Sequence, residues 1–274
     1  MPVNTQRYFQ DEEGLWVEKV GPWAKRKLEI LTSYVQISSK TRAKYSHCAF
    51  LDVFSGPGRS QVRDTGELID GSPVAAFKQS IRSHPFSAVY VSDANEELLA
   101  SATTRLKKQR APVRPIAGPA REALPSIVQK LSPSGLHLAL LDPHNLGALS
   151  FDLFESLDPL RRIDVIVHVS LGDLQRNLDL YTSDYQTQFN DFAPGWRDHI
   201  RTAGMNQVAL RAAILEYWTE KLVRLGLPRA EHLQLIRGTN NQRLYWLMLL
   251  ARHELAHEFW EKITSIAREP EFDF

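Results

Sequence analysis

Residues Phe50–Ser60 read Phe-Leu-Asp-Val-Phe-Ser-Gly-Pro-Gly-Arg-Ser. In this stretch a short apolar run that carries Asp52 breaks into a tight turn with two glycines, Gly56 and Gly58. Glycines let the backbone approach a bound molecule where any Cβ would collide. Open α/β folds bind their ligands in the crevice outside the carboxyl ends of the strands. The stretch therefore predicts a buried parallel strand that enters a ligand-binding loop.

Strand and helix patterns alternate on the carboxyl side of this stretch. Strands are predicted at Ala49–Phe54, Ala88–Ser92, Val113–Ala117, Leu136–Leu141 and Asp164–Val169. Helices are predicted between them at Pro73–Ser83, Asn95–Arg110, Arg121–Leu131 and Phe151–Leu160. Such an alternation predicts right-handed crossovers, and continuous apolar runs are typical of strands covered on both faces. We therefore expect an α/β fold with a mostly parallel, doubly wound sheet.

The N-terminal 45 residues precede this alternation and are predicted to form a helical extension. Residues 1–14 have the composition of an exposed arm, and apolar positions from Trp16 to Val35 approximate helical spacing. Lys25, Arg26 and Lys27 would then lie on the solvated outer face of this helix. A long loop is expected between Gly58 and the turn at Asp70-Gly71-Ser72-Pro73.

The pattern changes again beyond Ser170. Residues 171–230 are predicted to form a helical insert, which could act as a lid. Two late strands, Gln234–Arg237 and Leu244–Leu250, would close the sheet, one of them antiparallel, before a last helix near Phe259–Ile266. Because no internal repeat is visible, a single domain over residues 1–274 is expected.

Composition limits the function classes. The chain has 274 residues, 43% of them apolar and 24% charged, with a net charge of +1, which is typical of a globular protein and gives no global argument for nucleic acid. Cys48 is the single cysteine, so this chain alone cannot form a disulfide or a cysteine-type metal cluster, and a reducing cytoplasm is expected. The sequence contains no long apolar run, so neither a membrane span nor a signal peptide is expected.

Polar or turn residues follow four of the predicted strands. These residues are Asp52 with Ser55, Gly56, Pro57 and Gly58; Asp93; Gly118 with Ala120; and Asp142 with His144 and Asn145. A carboxylate after the second strand can accept hydrogen bonds from vicinal ribose hydroxyls, and small residues after the third leave room for a base. Asp93 could instead cap the following helix, and Asp142-Pro143 could be an ordinary turn. Taken together, the series predicts a nucleoside site.

Two familiar nucleotide motifs are absent. A dinucleotide fingerprint requires a third glycine three residues after the second, where this chain has Gln61. No Gly-Lys-Ser/Thr sequence occurs, which excludes a P-loop. The ligand of the predicted nucleoside site is therefore expected to be neither NAD nor a nucleotide bound by a P-loop.

These motifs resemble the class I S-adenosylmethionine-dependent methyltransferases and, more narrowly, the three-Cys-motif partner (TcmP) family of bacterial proteins. The resemblance is carried by Trp23-Ala24-x-x-Lys27-Leu28-x-Ile30-Leu31-x-x-Tyr34, Asp52-x-Phe54-Ser55-Gly56-Pro57-Gly58, Gly71-Ser72-Pro73, Leu141-Asp142-Pro143 and Leu244-Tyr245-Trp246-Leu247. These segments are spread over most of the chain. The resemblance implies a Rossmann-like methyltransferase fold with S-adenosylmethionine as cofactor.

The resemblance also implies roles for individual residues and a partner. Gly56 and Gly58 would line the methionine portion of the cofactor, Asp93 the ribose and Ala117–Ala120 the adenine, while Asp52 would anchor the loop or the ammonium group. The family name refers to a partner protein with three cysteines of radical-SAM type. This chain, with its single cysteine, would be the partner of such a protein.

Methyl transfer requires alignment of the reacting atoms and a way to remove a proton from the nucleophile. Enzymes that methylate exocyclic amines of bases or protein amides use an Asp/Asn-Pro-Pro-aromatic turn, where this chain has Asp142-Pro143-His144-Asn145. Asp142 could accept a hydrogen bond from an amine, His144 could act as a base or stack, and Asn145 could bind a base edge. His168 is expected to be a core or rim residue. The acceptor would be a nucleic acid or a protein.

Two other functions remain open. The chain could be a non-catalytic module that binds a partner or nucleic acid, with Arg105 and its basic neighbours as a phosphate-binding surface and Trp196 as a stacking residue. These residues could equally form a solvated surface and a small core. His253-Glu254-Leu255-Ala256-His257 also has the spelling of a zinc-hydrolase helix, although no third ligand stands out and no metal is expected.

Overall fold

Seven strands form the central sheet of the computed structural model, which describes residues 3–182 and 188–265. In chain order these strands are β3 (Ala49–Asp52), β6 (Ala88–Asp93), β7 (Val113–Ala117), β8 (His137–Leu141), β9 (Ile163–Ser170), β10 (Gln234–Arg237) and β11 (Arg243–Ala251). Their spatial order is β10-β11-β9-β8-β3-β6-β7. The pairs from β9 to β7 are all parallel, and β11 is antiparallel to both of its neighbours. The predicted mostly parallel sheet with one antiparallel late strand is thus confirmed.

Helices cover both faces of this sheet. They are α1 (Ala24–Ile37), α2 (Ser39–Arg42), α3 (Ser72–Ser80), α4 (Glu96–Lys108), α5 (Ala120–Val128), α6 (Asp152–Glu155), α7 (Leu171–Thr182), α8 (Gln188–Phe192), α9 (Trp196–His199), α10 (Gln207–Arg224) and α11 (Glu254–Thr264). Successive strand residues point to opposite faces, so Leu138 and Leu140 pack toward α1, α3, α4 and α11, whereas Ala139 and Leu141 pack toward α5, α6, α7 and α10. Burial on both faces explains the continuous apolar runs of the strands.

A second, four-stranded sheet replaces the predicted N-terminal arm and helix start. It contains β1 (Tyr8–Gln10), β2 (Trp16–Val20), β4 (Arg59–Val62) and β5 (Leu68–Asp70), in the order β1-β2-β4-β5. The prediction of a helix from Trp16 was wrong because Gly21-Pro22 interrupts the segment: proline disfavours helical backbone in the residue before it, and α1 begins only at Ala24. The loop predicted after Gly58 is the β4–β5 hairpin.

The helical region after β9 contributes its large aromatic side chains to the core. Phe189, Phe192, Trp196 and Trp218 are buried, and the rings of Phe192 and Trp218 stack with centroids 5.1 Å apart. Trp196 is therefore a core residue rather than an exposed stacking platform. None of the helices in the described ranges combines the length and the apolar character that a membrane span requires.

Candidate functional site

A cavity of about 570 Å³ opens at the carboxyl ends of β3 and β8, the two strands between which the order of the central sheet reverses. Ligands of doubly wound folds bind at this kind of switch point. Six of the residues predicted for the site line the cavity: Ser55, Gly56, Pro57, Gly58, Asp142 and His144. Five of them do not: Asp52, Asp93, Gly118, Ala120 and Asn145.

Asp142, directly after β8, has charged or polar partners on both carboxylate oxygens. Its Oδ1 lies 2.7 Å from Nδ1 of His168, and its Oδ2 accepts a hydrogen bond from the ammonium of Lys27. Burial alone would raise the pKa of the Asp142 carboxyl, but Lys27 and His168 hold it well below its usual range. Asp142 is therefore an ionised carboxylate with one partner on each oxygen, and an incoming amine would have to share these oxygens with Lys27 and His168.

The hydrogen bond to Asp142 determines the tautomer of His168. A carboxylate can only accept, so Nδ1 of His168 carries the proton and Nε2 is left with a lone pair. Burial lowers the pKa of His168, against the opposing effect of Asp142, which favours the neutral ring at neutral pH. The imidazole lines the cavity and packs on Tyr245, with ring centroids 3.8 Å apart and ring planes tilted by 33°. Among the described residues, none is a hydrogen-bond partner of Nε2, which makes this atom available as a proton acceptor.

His144 has the opposite arrangement. The guanidinium of Arg7 lies 2.9 Å from Nδ1 of His144, and because arginine can only donate, this nitrogen accepts and the proton resides on Nε2. Burial and the charge of Arg7 lower the pKa of His144. Arg7 also donates two hydrogen bonds to Glu18, so the N-terminal hairpin is joined to the end of β8 across the cavity. In this arrangement the Nδ1 lone pair of His144 is already used.

The glycines of the loop are required by the protein itself as well as by any ligand. Gly56 and Gly58 have φ values of +53° and +75°, in the left-handed region that glycine tolerates best. A Cβ on Gly58 would lie 3.1 Å from the α-carbon of Ala102, whereas a Cβ on Gly56 would meet no atom closer than Oε2 of Glu18 at 3.6 Å. Gly56 is thus the glycine beside which the cavity remains open.

Asp52 lies beneath this loop, fully buried. Its Oδ2 accepts a hydrogen bond of 2.5 Å from the hydroxyl of Ser72, and Phe54 N–H donates to Oδ1 at 3.3 Å. Burial raises the pKa of Asp52 to about 7, and the nearby charge of Asp142 adds to this effect. Asp52 therefore connects β3 to the start of α3 beneath the glycine loop.

Asp93 lies at the end of β6, next to the loop but outside the cavity. Its Oδ2 accepts from Gly56 N–H at 3.0 Å and its Oδ1 from Asn95 N–H at 2.8 Å. The helix cap is Asn95 rather than Asp93, since the Asn95 side chain accepts from Glu97 and Leu98 N–H groups. Burial raises the pKa of the Asp93 carboxyl despite these bonds. Each of its oxygens retains a second lone pair that a hydroxyl could use.

The remaining predicted residues lie farther along the same edge of the sheet. Gly118 is held beside Asp93 by its N–H, which donates to the Asp93 carbonyl at 3.2 Å, and Ala120 is the buried first residue of α5. Asn145 does not line the cavity: its side chain accepts from Ala148 N–H and caps a short 3-10 turn. Asn145 therefore has an observed structural role, and contact with a base edge stays a prediction.

Sequence reasoning missed Lys27, Tyr245, Arg7 and Glu18 as residues of the cavity. Lys27 was expected on the outer face of the helix, but it lies four residues from both Trp23 and Leu31, the spacing of the packed face, and that spacing was the available signal. Arg7 and Glu18 could not be placed because the hairpin that carries them was predicted as an arm and a helix.

Arg105 does not belong to an exposed basic surface. It is 4% exposed, and its guanidinium donates to the carbonyls of Trp16 and Pro57 and to the carboxylate of Asp11. Burial lowers the pKa of this group, against the effect of Asp11. Arg105 therefore joins α4 to the N-terminal hairpin and to the glycine loop.

The two histidines of the His253–His257 motif, which matches the zinc-hydrolase pattern in sequence, do not form a pair of metal ligands. His253 is the N-cap of α11, and its Nδ1 accepts from Leu255 N–H at 3.2 Å, while Nε2 of His257 lies 3.0 Å from the carbonyl of Ala251. Elsewhere in the described chain, Glu231, His232 and Glu261 could bring ligand atoms within 4.8 Å of one another, but both glutamates are exposed. Exposed groups of this kind are common in proteins without a metal.

Comparisons with known proteins give only distant matches. No protein-family model and no curated protein matches the chain. Among solved structures, M. jannaschii TYW2 in complex with AdoMet is 9% identical to this chain, with a TM-score of 0.43. The match covers 92% of this chain and 88% of that one. An O-methyltransferase from Bacillus cereus in complex with SAH is 14% identical, with coverages of 85% and 82% and a TM-score of 0.46. The O-methyltransferase TomG from Streptomyces achromogenes, in complex with SAM, is 12% identical, with coverages of 83% and 80% and a TM-score of 0.47.

The class of fold follows from the strand order and directions rather than from these distant matches. A doubly wound, seven-stranded sheet with one antiparallel strand next to its edge is the Rossmann-like fold of the class I methyltransferases. The fold predicted from the sequence is thereby confirmed, whereas the function of the site is a separate question.

Proposed function

We propose that this chain binds S-adenosylmethionine at the carboxyl edge of its central sheet and transfers the methyl group to an acceptor in the cavity. The observation that carries the proposal is the cavity itself, which joins the Gly56–Gly58 loop to the Asp142–His168 pair. At one end of the cavity the glycine loop lets a ligand approach the backbone closely. At the other end the imidazole of His168 is polarised by its hydrogen bond to Asp142.

The residues present fit the cofactor in two respects. The cavity lining carries both signs of charge, including Lys27 and Arg63 against Glu18 and Asp70, which suits the zwitterionic end of a methionine. Next to Gly56, the carboxylate of Asp93 keeps acceptor capacity for two ribose hydroxyls, and the small residues Ala117–Ala120 follow on the neighbouring strand. Bound there, the cofactor would supply a methyl group on a sulfonium sulfur.

His168 is the proposed base. Its Nε2 would take the proton from the O–H or N–H group of the acceptor as the acceptor atom forms its bond to the methyl carbon and the bond between that carbon and the sulfonium sulfur breaks, which leaves the neutral thioether S-adenosylhomocysteine. Asp142 would hold the ring in this tautomer and stabilise the imidazolium that results, and Lys27 would keep Asp142 ionised. His144, whose Nδ1 accepts from Arg7, would hold the N-terminal hairpin over the cavity.

A nucleic acid or a protein is the acceptor class that we propose to test first. Lys19 and Arg63 line the cavity, and neither has a carboxylate partner among the described residues. Cations at the rim of a cavity attract phosphates, with an affinity that falls as salt increases. RNA and DNA are therefore the first acceptors to be tried.

Calorimetric titration with S-adenosylmethionine and S-adenosylhomocysteine tests cofactor binding. Asp93→Ala should lose measurable binding of both, because it removes the proposed ribose acceptor, while Glu96→Ala, an exposed acid three residues away, should bind as the wild type does. Equal affinities in the wild type and Asp93→Ala would remove Asp93 from the site. A folded protein that binds neither compound would contradict the proposed function.

The role of His168 has a readout that does not depend on the acceptor. Nitrogen-15 NMR of the histidine rings should show His168 protonated at Nδ1 and His144 protonated at Nε2 at neutral pH. Asp142→Asn should change the His168 tautomer and stop methyl transfer while leaving cofactor binding largely intact. Full transfer activity in His168→Asn would exclude His168 as the base.

Membership in the TcmP family and a radical-SAM partner are the finer part of the proposal. They rest on the sequence motifs around Trp23, Asp52 and Gly71. Co-purification of this chain with a protein that carries three cysteines of radical-SAM type would support the partnership. Methyl transfer by the purified chain alone would show that no partner is needed.

A further inference from the structure

A second cavity, of about 410 Å³, lies at the opposite edge of the central sheet. Leu136 and Ile163, at the starts of β8 and β9, and Arg252, at the end of the antiparallel β11, all line it. The first cavity lies at the other ends of these strands, beside Asp142, His168 and Tyr245. The two cavities therefore lie at opposite ends of the strands.

Positive charge dominates the lining of the second cavity. Lys44, Arg161 and Arg162 line it, and none of the three forms an ion pair with a described carboxylate. The guanidinium of Arg162 donates to the carbonyl of Ser134 at 3.1 Å, which leaves most of its five N–H donors unused. Because the whole chain carries a net charge of +1, this concentration of cations is a local feature.

The negative charge near this cavity is already engaged. Asp164, the one carboxylate among the lining residues, accepts a hydrogen bond of 2.9 Å from the hydroxyl of Tyr34. Burial raises the pKa of Asp164 to about 6, so part of its charge is lost in mildly acidic solution. Arg252, the fourth lysine or arginine of the lining, is paired with Asp158 at 3.0 Å. An incoming anion would thus meet three cations with no carboxylate to displace.

The remaining walls are apolar or aromatic. Tyr45 and Phe259 are half-buried and line the cavity with Leu136 and Leu255. The guanidinium of Arg162 lies over the ring of Tyr45, 5.2 Å from its centroid, which holds the planar donor group at the cavity wall. Planar guanidinium groups bind phosphate oxygens in pairs, and aromatic rings offer faces for stacking. The volume is within the range of pockets for small ligands.

We propose that this second cavity binds a small phosphate-bearing ligand with a planar aromatic body, of the size of a mononucleotide. Lys44, Arg161 and Arg162 would hold the phosphate, and Tyr45 and Phe259 would contact the planar body. The site is distinct from the proposed cofactor site, and its occupation requires no part of the methyl-transfer chemistry. It would place a phosphate-bearing ligand on the opposite side of the sheet from the first cavity.

Adenosine monophosphate, adenosine and inorganic phosphate are suitable calorimetric probes. We expect adenosine monophosphate to bind more tightly than either of the other two, because only it can use both the cations and the aromatic walls. Arg162→Gln and Lys44→Gln should each weaken its binding by roughly tenfold. Arg114→Gln is the matched control, since Arg114 is exposed and lines neither cavity.

The controls separate this site from the carboxyl edge and from unspecific attraction. Asp93→Ala should leave the affinity for adenosine monophosphate unchanged, and a loss in that variant would place the probe at the proposed cofactor site beside Asp93 and overturn the proposal. Equal weakening in Arg114→Gln would show unspecific charge attraction and would also overturn it. Binding of inorganic phosphate as tight as that of adenosine monophosphate would exclude the planar body, and unfolding temperatures would show that each variant is folded.

Discussion

Gly58 and Gly71 are in direct backbone contact, although thirteen positions of sequence separate them. The N–H of Gly71 donates to the carbonyl of Gly58 at 2.9 Å, and a Cβ on Gly71 would lie 2.6 Å from the carbonyl carbon of Gly58. This contact brings the glycine loop against the start of α3, where Ser72 reaches Asp52. Two motifs that are separate in the sequence therefore form one structural unit under the cavity.

Gly71→Ala should destabilise the protein by about 1–3 kcal/mol, because the methyl group would collide with backbone that cannot rotate away. Chemical denaturation measures this change. Gly238→Ala is a suitable control, since the atoms nearest to its added Cβ belong to the flexible side chain of Gln242. If Gly71→Ala were as stable as the wild type, the close contact with Gly58 would not be a constraint.

Lys27→Met should cost about 3–5 kcal/mol of unfolding free energy, because it leaves the largely buried carboxylate of Asp142 without its main counter-charge. The double variant Lys27→Met/Asp142→Asn should recover much of this loss, since the uncompensated charge is gone. Lys25→Met removes an exposed pair with Glu67 and should change stability by less than about 1 kcal/mol. Additive effects in the double variant would argue against a direct coupling of Lys27 and Asp142.

Asp52 should make the protein less stable as the pH rises from about 4 to 7. Its pKa is about 7 in the folded state, so between the unfolded and folded pKa values the native protein holds a proton that the unfolded chain has released. The free energy of unfolding then falls by up to about 1.4 kcal/mol per pH unit from this group. Asp52→Asn should remove this slope in urea denaturation, and Asp64→Asn controls for the change in net charge. Parallel pH profiles of Asp52→Asn and the wild type would contradict the assignment.

Arg105→Met should release the N-terminal hairpin and destabilise the protein by roughly 3–5 kcal/mol, because Asp11 would lose its buried counter-charge. Hydrogen exchange should accelerate at the backbone N–H of Trp16, the residue whose carbonyl Arg105 holds. Lys108 lies on the same helix as Arg105 and forms an exposed ion pair with Glu13. Lys108→Met should therefore have little effect on stability. Unchanged exchange at Trp16 would show that other contacts hold the hairpin.

Metal analysis of the purified protein should give far less than one zinc per chain. The two histidines of the His-Glu-x-x-His spelling use ring nitrogens in backbone hydrogen bonds. One zinc per chain that is lost in His253→Ala would revive the hydrolase interpretation. One zinc per chain that is lost instead in His232→Ala would point to the group with Glu231 and Glu261.

The sheet was predictable from the sequence because its strands are buried on both faces. Continuous apolar runs such as Leu138–Leu141 indicate a covered strand without reference to the rest of the chain. The β1–β2 hairpin was not predictable, because its strands are short and β2 pairs with β4 more than thirty residues away. The signal that was available, Gly21-Pro22, excludes a continuous helix but does not indicate the partner of a strand.

The site was predictable only as far as strand ends reveal it. Asp142 directly follows β8, and Gly56 lies in the loop that follows β3, so their place at the carboxyl edge follows from the topology. His168 and Lys27 lie within a strand and a helix, and their role depends on tertiary contacts with Asp142 that no local pattern contains. The same holds for Arg105, whose burial among carbonyls cannot be distinguished in sequence from a solvated helix face.

Helix α1 is attached to the central sheet by polar contacts at two points, one at each edge. Lys27 reaches Asp142, the partner of His168, and Tyr34 reaches Asp164, near the other end of β9. From Lys27 to Tyr34 the helix rises about 10.5 Å, and from Asp164 to His168 the strand rises about 13 Å. The two contacts on the helix therefore have nearly the same spacing as their partners on the strand. An apolar interface alone would tolerate sliding of the helix by a turn. These two contacts allow one register, and they hold the helix between the two cavities in a fixed position on the sheet.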